Sequence, residues 1–357
     1  MMNYQAALSS LSMMNREPAD GIIVKSVPEF PDCGAGQLDP RVRENRRKAL
    51  EHRETSDRKV FNLAVERAAM GWPNTDVTDG TVLTEHTSIQ SGPRKIPVRI
   101  YRTPGNCKPC IVFFHGGGFY GGSVDCVENP CKCIAFNADC VVISVDYRLA
   151  PEYPFPQGFN DCYEVIQAVY SAPEQYGVDR RKIGVCGDSA GGNLAIACAL
   201  RDRNEGMHGI QYAALVYPTV NISGRGTGLY QWSIEDYVMP EDGALARDAI
   251  MEIGRNTEAK LLTKLYLAGN AELERNEYVS PVFMKSADGL PKTLIITAEY
   301  DYLRVEGEAY GRLLRNAGVD VKMIRYGGMD HAFIDKIGEY PQAEDAMKEI
   351  AKMFMTV

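Results

Sequence analysis

The stretch Val185-Cys186-Gly187-Asp188-Ser189-Ala190-Gly191-Gly192 constrains the fold more than any other part of the chain. Residues 181–186 before it read as a short β-strand, and residues 193–200 after it as an Ala- and Leu-rich helix. Between them lies G-x-S-x-G, with a glycine two places before and two places after Ser189. A serine on so sharp a strand-to-helix turn is held in a strained backbone conformation, and side chains at the flanking positions would collide. The turn lifts the hydroxyl clear of the sheet. It also aims the N-terminus of the following helix, with its free N–H groups, at the same point. An ordinary glycine-rich turn would carry the same letters, so the rest of the chain has to decide.

The strand pattern points to one architecture. Residues 81–90 and 96–102 read as two strands joined by the turn Ser91-Gly92-Pro93. Residues 109–114 and 140–145 are continuous apolar runs, the mark of strands covered on both faces. Helices at 158–170, 303–316 and 341–355 alternate with strands at 210–216, 293–297 and 319–326. Alternation of this kind predicts an α/β fold with a mostly parallel sheet flanked by helices. Residues 221–280 are more than the sheet needs. Their glycine-rich start (Gly224-Arg225-Gly226-Thr227-Gly228) and the helical pattern over 242–267 predict a helical cap or lid. Residues 1–80 do not read as the start of a sheet. A helical stretch over 40–70 makes them a second cap segment, and its basic run (Arg41, Arg43, Arg46, Arg47, Lys48) reads as a solvated face paired with interleaved acids. The core is then 81–220 and 281–357.

A net charge of −8 argues against nucleic acid as a partner. No apolar run reaches the length of a membrane span, and no leader pattern is visible, so the expectation is a cytoplasmic protein. Ten cysteines raise the question of a metal. Cys107-x-x-Cys110 and Cys131-x-Cys133 lack the paired histidines or second pair that zinc requires, so the expectation is buried, reduced thiols and no metal.

A serine nucleophile needs a base, an acid to orient the base, and donors for an oxyanion. Five histidines make the search short. His52 lies in the charged helix, His86 in an early strand, and His208 in a polar loop. His331, in Gly327-Gly328-Met329-Asp330-His331-Ala332-Phe333, follows the last strand, where a doubly wound sheet delivers residues to its carboxyl edge. The acid is expected between serine and histidine, and Glu299 and Asp301 both qualify; Asp301 also reads as a helix cap. Asp188 and Asp330 adjoin the serine and the histidine, so their side chains should diverge from the site. Phe113-Phe114-His115-Gly116-Gly117-Gly118 follows a buried strand, and its glycines let backbone N–H groups approach a substrate carbonyl. No Gly-Lys-Ser/Thr follows, which removes the phosphate-loop reading.

His115-Gly-Gly-Gly118, Asp146-Tyr-Arg-Leu-Ala-Pro-Glu152, Gly187-Asp-Ser-Ala-Gly-Gly192, Asp301 and His331-Ala-Phe333 together resemble the hormone-sensitive-lipase family of α/β-hydrolases. The resemblance covers residues 80–357. It implies a Ser189, Asp301, His331 triad, an oxyanion hole from the N–H groups of Gly117, Gly118 and Ala190, no cofactor, and a carboxylesterase acting on short- to medium-chain esters of small molecules. A homodimer is compatible with it, and membrane docking is not expected. His115 is expected to shape the glycine loop rather than act as a base. Phe119, Tyr120, Trp232, Tyr302 and Phe333 are pocket candidates. The alternatives are amide or lactone hydrolysis by the same triad, or a receptor on the same scaffold. The plant gibberellin receptor, which resembles this family, has lost the histidine that this chain keeps as His331.

Overall fold

The computed structural model describes residues 2–14, 20–32, 35–54, 61–224 and 226–357, with side chains from 52–54 excluded. The sequence expectations for residues 55–60 and for Arg225 lie outside the described residues. In chain order the sheet strands are β1 (Ile22–Lys25), β2 (Leu83–Ser91), β3 (Arg94–Arg102), β4 (Lys108–Phe114), β5 (Val141–Val145), β6 (Val178–Asp188), β7 (Ile210–Val216), β8 (Lys292–Tyr300) and β9 (Val321–Asp330). They form one sheet in the order β1-β9-β8-β7-β6-β4-β5-β3-β2. Only the pairs β2–β3 and β3–β5 are antiparallel; the others run parallel.

The apolar runs are explained by the two faces. Along β4, Cys110, Val112 and Phe114 enter one core and Ile111 and Phe113 the other. The first core lies under α5 (Gln157–Ser171), α6 (Ala190–Asn204) and α9 (Arg304–Asn316), through residues such as Ile166, Leu194 and Tyr310. The second lies under α1 (Tyr4–Met13), α4 (Glu128–Ala138) and α10 (Pro341–Phe354), through Leu11, Ile134 and Ile350. The fold is therefore the α/β sandwich expected, with both faces of a parallel sheet covered.

The expectation for the start of the chain fails. The first 80 residues do contribute to the sheet: Ile22–Lys25 runs parallel to β9 and supplies the strand at that edge. Lys25 is fully buried there, with Nζ 2.5 Å from Asp345 Oδ2 and 3.0 Å from Glu349 Oε1 on α10. Two further segments of the N-terminal region, α2 (Pro40–Glu54) and α3 (Leu63–Ala68), lie above the carboxyl edge of the sheet together with α7 (Gly243–Glu258) and α8 (Leu261–Leu265). The single helix expected over 242–267 is thus two, broken at Lys260, whose backbone is left-handed (φ +54°). Among the described residues seven cysteines, including Cys110, Cys131, Cys140 and Cys186, are buried free thiols, and Cys107 is exposed. No helix among the described residues is long and apolar enough to cross a membrane.

Candidate active site

The serine turn has the strain its sequence implied. Ser189 sits between β6 and α6 with φ +54° and ψ −115°. Its N–H donates to the Val216 carbonyl at 2.8 Å, and its carbonyl accepts the N–H groups of Asn193 and Thr219, both at 3.2 Å. These bonds fix the turn against β7. Glycine is obligatory on both sides: a Cβ on Gly191 would stand 1.9 Å from the Phe114 carbonyl oxygen, and one on Gly187 would stand 2.3 Å from the Gly191 carbonyl. Both obstacles are backbone and cannot rotate away.

The three residues expected to converge do so. Asp301 Oδ2 lies 2.7 Å from His331 Nδ1, and His331 Nε2 lies 3.0 Å from Ser189 Oγ. A carboxylate oxygen only accepts, so Nδ1 carries the ring proton and Nε2 presents its lone pair to the serine hydroxyl. Asp301 is fully buried, and its other oxygen accepts the Leu303 N–H at 2.9 Å. The orienting reading of Asp301 is realised, but the capping reading is not: α9 begins at Arg304 with Leu303 as its N-cap, and Asp301 braces the turn just before it. Glu299, the other candidate, turns to different donors. It accepts the N–H groups of Gly36 and Gly328 at 2.9 and 2.8 Å, which ties the N-terminal region to β9. Burial pushes the His331 pKa down, but Asp301, with smaller contributions from Asp188 and Glu252, outweighs it, and the net displacement is upward.

The glycine loop lies opposite. Gly117 and Gly118 have φ of +113° and +61°, and a Cβ on Gly117 would stand 2.2 Å from the Gly121 carbonyl oxygen. Asp188 accepts the Gly116 N–H at 2.8 Å, so it braces the loop instead of touching the histidine. His115 is a structural part of the same loop. It is fully buried, its Nδ1 lies 2.7 Å from the Gly116 carbonyl and must therefore donate, and burial pushes its pKa down to about 4. Its ring stacks on Tyr147 at 4.4 Å, and the Tyr147 hydroxyl donates to the His115 carbonyl at 2.7 Å. The Asp146–Glu152 motif thus supports the glycine loop from behind. From the N-terminal region, Arg67 reaches over to bond the Tyr120 and Ala150 carbonyls and the Glu152 carboxylate.

Ser189, His331 and Gly116–Gly118 open onto a cavity of about 480 Å³. Its roof is built from Arg46, Met70 and Trp72 of the N-terminal region and from Ile253, Leu261 and Leu262 of the insertion. Of the five aromatic pocket candidates only Tyr120 lines it. Phe119 stacks on Tyr266 at 3.8 Å, Trp232 stacks on Tyr302 at 4.5 Å, and Phe333 is buried in the core. Sequence reasoning missed the roof residues. The apolar periodicity of α7 was the one signal that could have found Ile253.

Comparisons with known proteins place the chain in a family. Residues 111–335 match the α/β hydrolase fold family. Esterase LipI of Mycobacterium tuberculosis is 33% identical over 257 residues, which span 70% of this chain and 75% of that protein. The chain belongs to the hormone-sensitive-lipase-like carboxylesterases. An arylesterase of Saccharolobus solfataricus, 30% identical over 254 residues, spans 70% of this chain and 77% of its own. Among solved structures, a hyperthermophilic esterase from Pyrobaculum calidifontis overlays with a TM-score of 0.72 at 32% identity, covering 89% of this chain and 98% of that one. As a member of these carboxylesterases the protein is a carboxylic ester hydrolase, and its sheet and flanking helices are those of the α/β-hydrolase fold.

Proposed function

We propose that the protein hydrolyses short- to medium-chain acyl esters of small molecules through an acyl-enzyme intermediate. Ser189 is the nucleophile in this reading, His331 its general base, and Asp301 the carboxylate that fixes the imidazole tautomer. The serine proton passes to His331 Nε2 as Oγ attacks the ester carbonyl, and the oxygen that becomes negative is received by the N–H groups of Gly117, Gly118 and Ala190. The imidazolium then protonates the leaving alcohol. Water enters and attacks the acyl-enzyme while His331 takes its proton; the acyl–Oγ bond then breaks, the acid leaves, and the imidazolium returns the proton to Ser189 Oγ. No metal or organic cofactor takes part in these steps.

The observation that carries the reading is the continuous hydrogen-bonded chain from Asp301 to Ser189, ending in a cavity beside three consecutive glycines. The cavity volume, about 480 Å³, falls in the range of small-molecule sites, roughly 300–1,000 Å³. That favours small acyl groups over long lipids. Residues 40–80 and 221–280 act in this reading as the cap, since α2, α3, α7 and α8 supply the roof, while β1 belongs with residues 81–220 and 281–357 to the core. The test is a chain-length series of nitrophenyl acyl esters, with nitroanilide and lactone arms, run on the wild type and on Ser189→Ala. Turnover of the shorter esters that vanishes in Ser189→Ala is expected. Equal turnover in the two proteins would refute the nucleophile, and a preference for the longest chains would refute the substrate range.

A further inference from the structure

Three parts of the chain, far apart in sequence, meet at one guanidinium. Arg46, on α2, donates from Nε to Asp330 Oδ2 at 2.6 Å and from Nη1 to Glu252 Oε2 at 2.6 Å. Its Nη2 lies 2.6 Å from the same Asp330 oxygen. Glu252 belongs to α7, and Asp330 is the last residue of β9 and the covalent neighbour of His331. Arg46 is 7% exposed and Asp330 1%. All three residues line the cavity that holds Ser189.

Resting on the reading of His331 as the general base, the geometry points to Arg46 as a positioning residue: it latches both halves of the cap to the chain segment that carries the imidazole, so His331 is aligned with Ser189 only when the cap is seated. A carboxylate as buried as Asp330 needs a charged partner. Without Arg46 it must turn toward water or take up a proton, and a turn at residue 330 moves the peptide that fixes the imidazole. The ring has little room for that, since its bonds to Asp301 and Ser189 are 2.7 and 3.0 Å long. The other nearby cation, Lys336, also favours the ionised Asp330, but it acts through space and does not supply the bonds that Arg46 makes. Lys336 holds its ammonium over the rings of Trp72 and Tyr340, 5.0 and 4.8 Å from their centres. Lysine at position 46 would supply the charge but not a planar fork able to bond two carboxylates at once.

The charge also bears on the base. Facing or flanking His331 are Asp301 at the end of β8, Asp188 at the end of β6, Glu252 on α7, and Asp330 and Asp335 on either side of it in the chain; Arg46 and Lys336 are the cations among these groups. Removing the Arg46 charge leaves the surroundings more negative, which favours the protonated imidazole. The acid limb of the pH–rate profile then moves to higher pH.

The test uses the full-length enzyme, with Arg46→Met, Arg46→Lys, Asp330→Asn and the Arg46→Met/Asp330→Asn double variant assayed on nitrophenyl butyrate. Arg46→Met is expected to lower kcat about 10- to 100-fold, the cost of a misplaced catalytic group, with KM changed less than about threefold. Its acid limb should move up, and Arg46→Lys should restore part of kcat. Asp330→Asn keeps the side-chain volume and removes a negative charge, so it should lower kcat while moving the limb down. It carries the test if Arg46→Met fails to fold. The double variant should be no slower than the slower single one, because both changes break one contact. Wild-type kcat and an unmoved limb in the single variants, or losses that simply multiply in the double one, would overturn the latch. Ser189→Ala, assayed in parallel, separates the two readings: residual turnover there refutes the triad, whereas an inactive Ser189→Ala beside a fully active Arg46→Met refutes the latch alone.

Discussion

Replacing Asp301 by asparagine tests the chemistry most directly, because it preserves volume and changes one charge and one acceptor. The carboxylate serves two donors, the His331 Nδ1–H at 2.7 Å and the Leu303 N–H at 2.9 Å, and it is fully buried. An asparagine has one acceptor oxygen and can satisfy only one of them. If that oxygen stays on Leu303, the amide NH₂ faces Nδ1, the imidazole must accept there, and its proton moves to Nε2. No lone pair is then left for the serine proton. If the amide turns the other way, Leu303 loses its acceptor, at a cost of about 1–3 kcal/mol for a buried N–H. The first arrangement is therefore preferred, and in both the imidazolium has lost its counter-charge. A wrong tautomer at a serine triad costs on the order of 10⁴ in kcat, which is about 5 kcal/mol in the barrier. The assay is steady-state hydrolysis of nitrophenyl butyrate, with thermal melting as the control for folding. A folded Asp301→Asn enzyme within about tenfold of wild-type kcat would show that the tautomer argument is wrong for this site.

Two further outcomes follow from neighbouring groups. Because the His331 pKa is displaced upward and only the neutral imidazole accepts the serine proton, kcat/KM should fall as pH drops, with its acid limb above the ordinary imidazole value of 6.5. A limb below 6.5 in a pH–rate profile would mean that burial, not Asp301, sets the base. Glu299→Gln should leave one of the Gly36 and Gly328 N–H groups facing an amide NH₂, for a loss of about 1–3 kcal/mol in stability. Calorimetry should show a lowered melting temperature, while kcat stays far closer to wild type than in Asp301→Asn.

What the sequence disclosed depended on whether the physics was local. The Ser189 turn is local: backbone crowding at Phe114 and Gly191 dictates glycine, and the glycines are written in the chain. The separation of Asp301 from Glu299 is not. Both leave the same strand, and only the positions of His331, Gly36 and Gly328 decide which carboxylate meets which donor. Strand β1 was hidden for a similar reason. Nothing in the four residues Ile22–Lys25 says which strand they join, and Lys25 is buried only because Asp345 and Glu349 wait for it on a helix some 320 residues away. Helix α4 accommodates Pro130 because the proline sits in the first turn, where no intrahelical N–H bond is lost. In α2 the reading of a solvated basic face holds for Arg47, paired with Glu44 and Glu51, and for Lys48, paired with Glu44. Arg46, next in the run, points inward to Asp330, and nothing in its spacing announces that.

The acids gathered near one imidazole raise a problem that the structure itself resolves. A base surrounded by Asp301, Asp188, Asp330 and Asp335 would be held as imidazolium, and so would be useless for taking a proton, if each carboxylate acted with full charge. They do not act alike. Asp301 is bonded straight to Nδ1, where its charge also fixes the tautomer. Asp330 is kept ionised against the pull of burial, but Lys336 and Arg46 offset its field. Asp188 and Asp335 are pushed the other way: burial raises both and Asp188 raises Asp335 further, so Asp335 gives up most of its charge while Asp188 keeps a smaller part in the field at the ring. The field that acts on His331 is thus mainly that of the one carboxylate able to orient it. On this argument the basicity of the site depends as much on what offsets Asp330 and Asp335 as on Asp301, which is why a cation on the cap belongs to the chemistry below it.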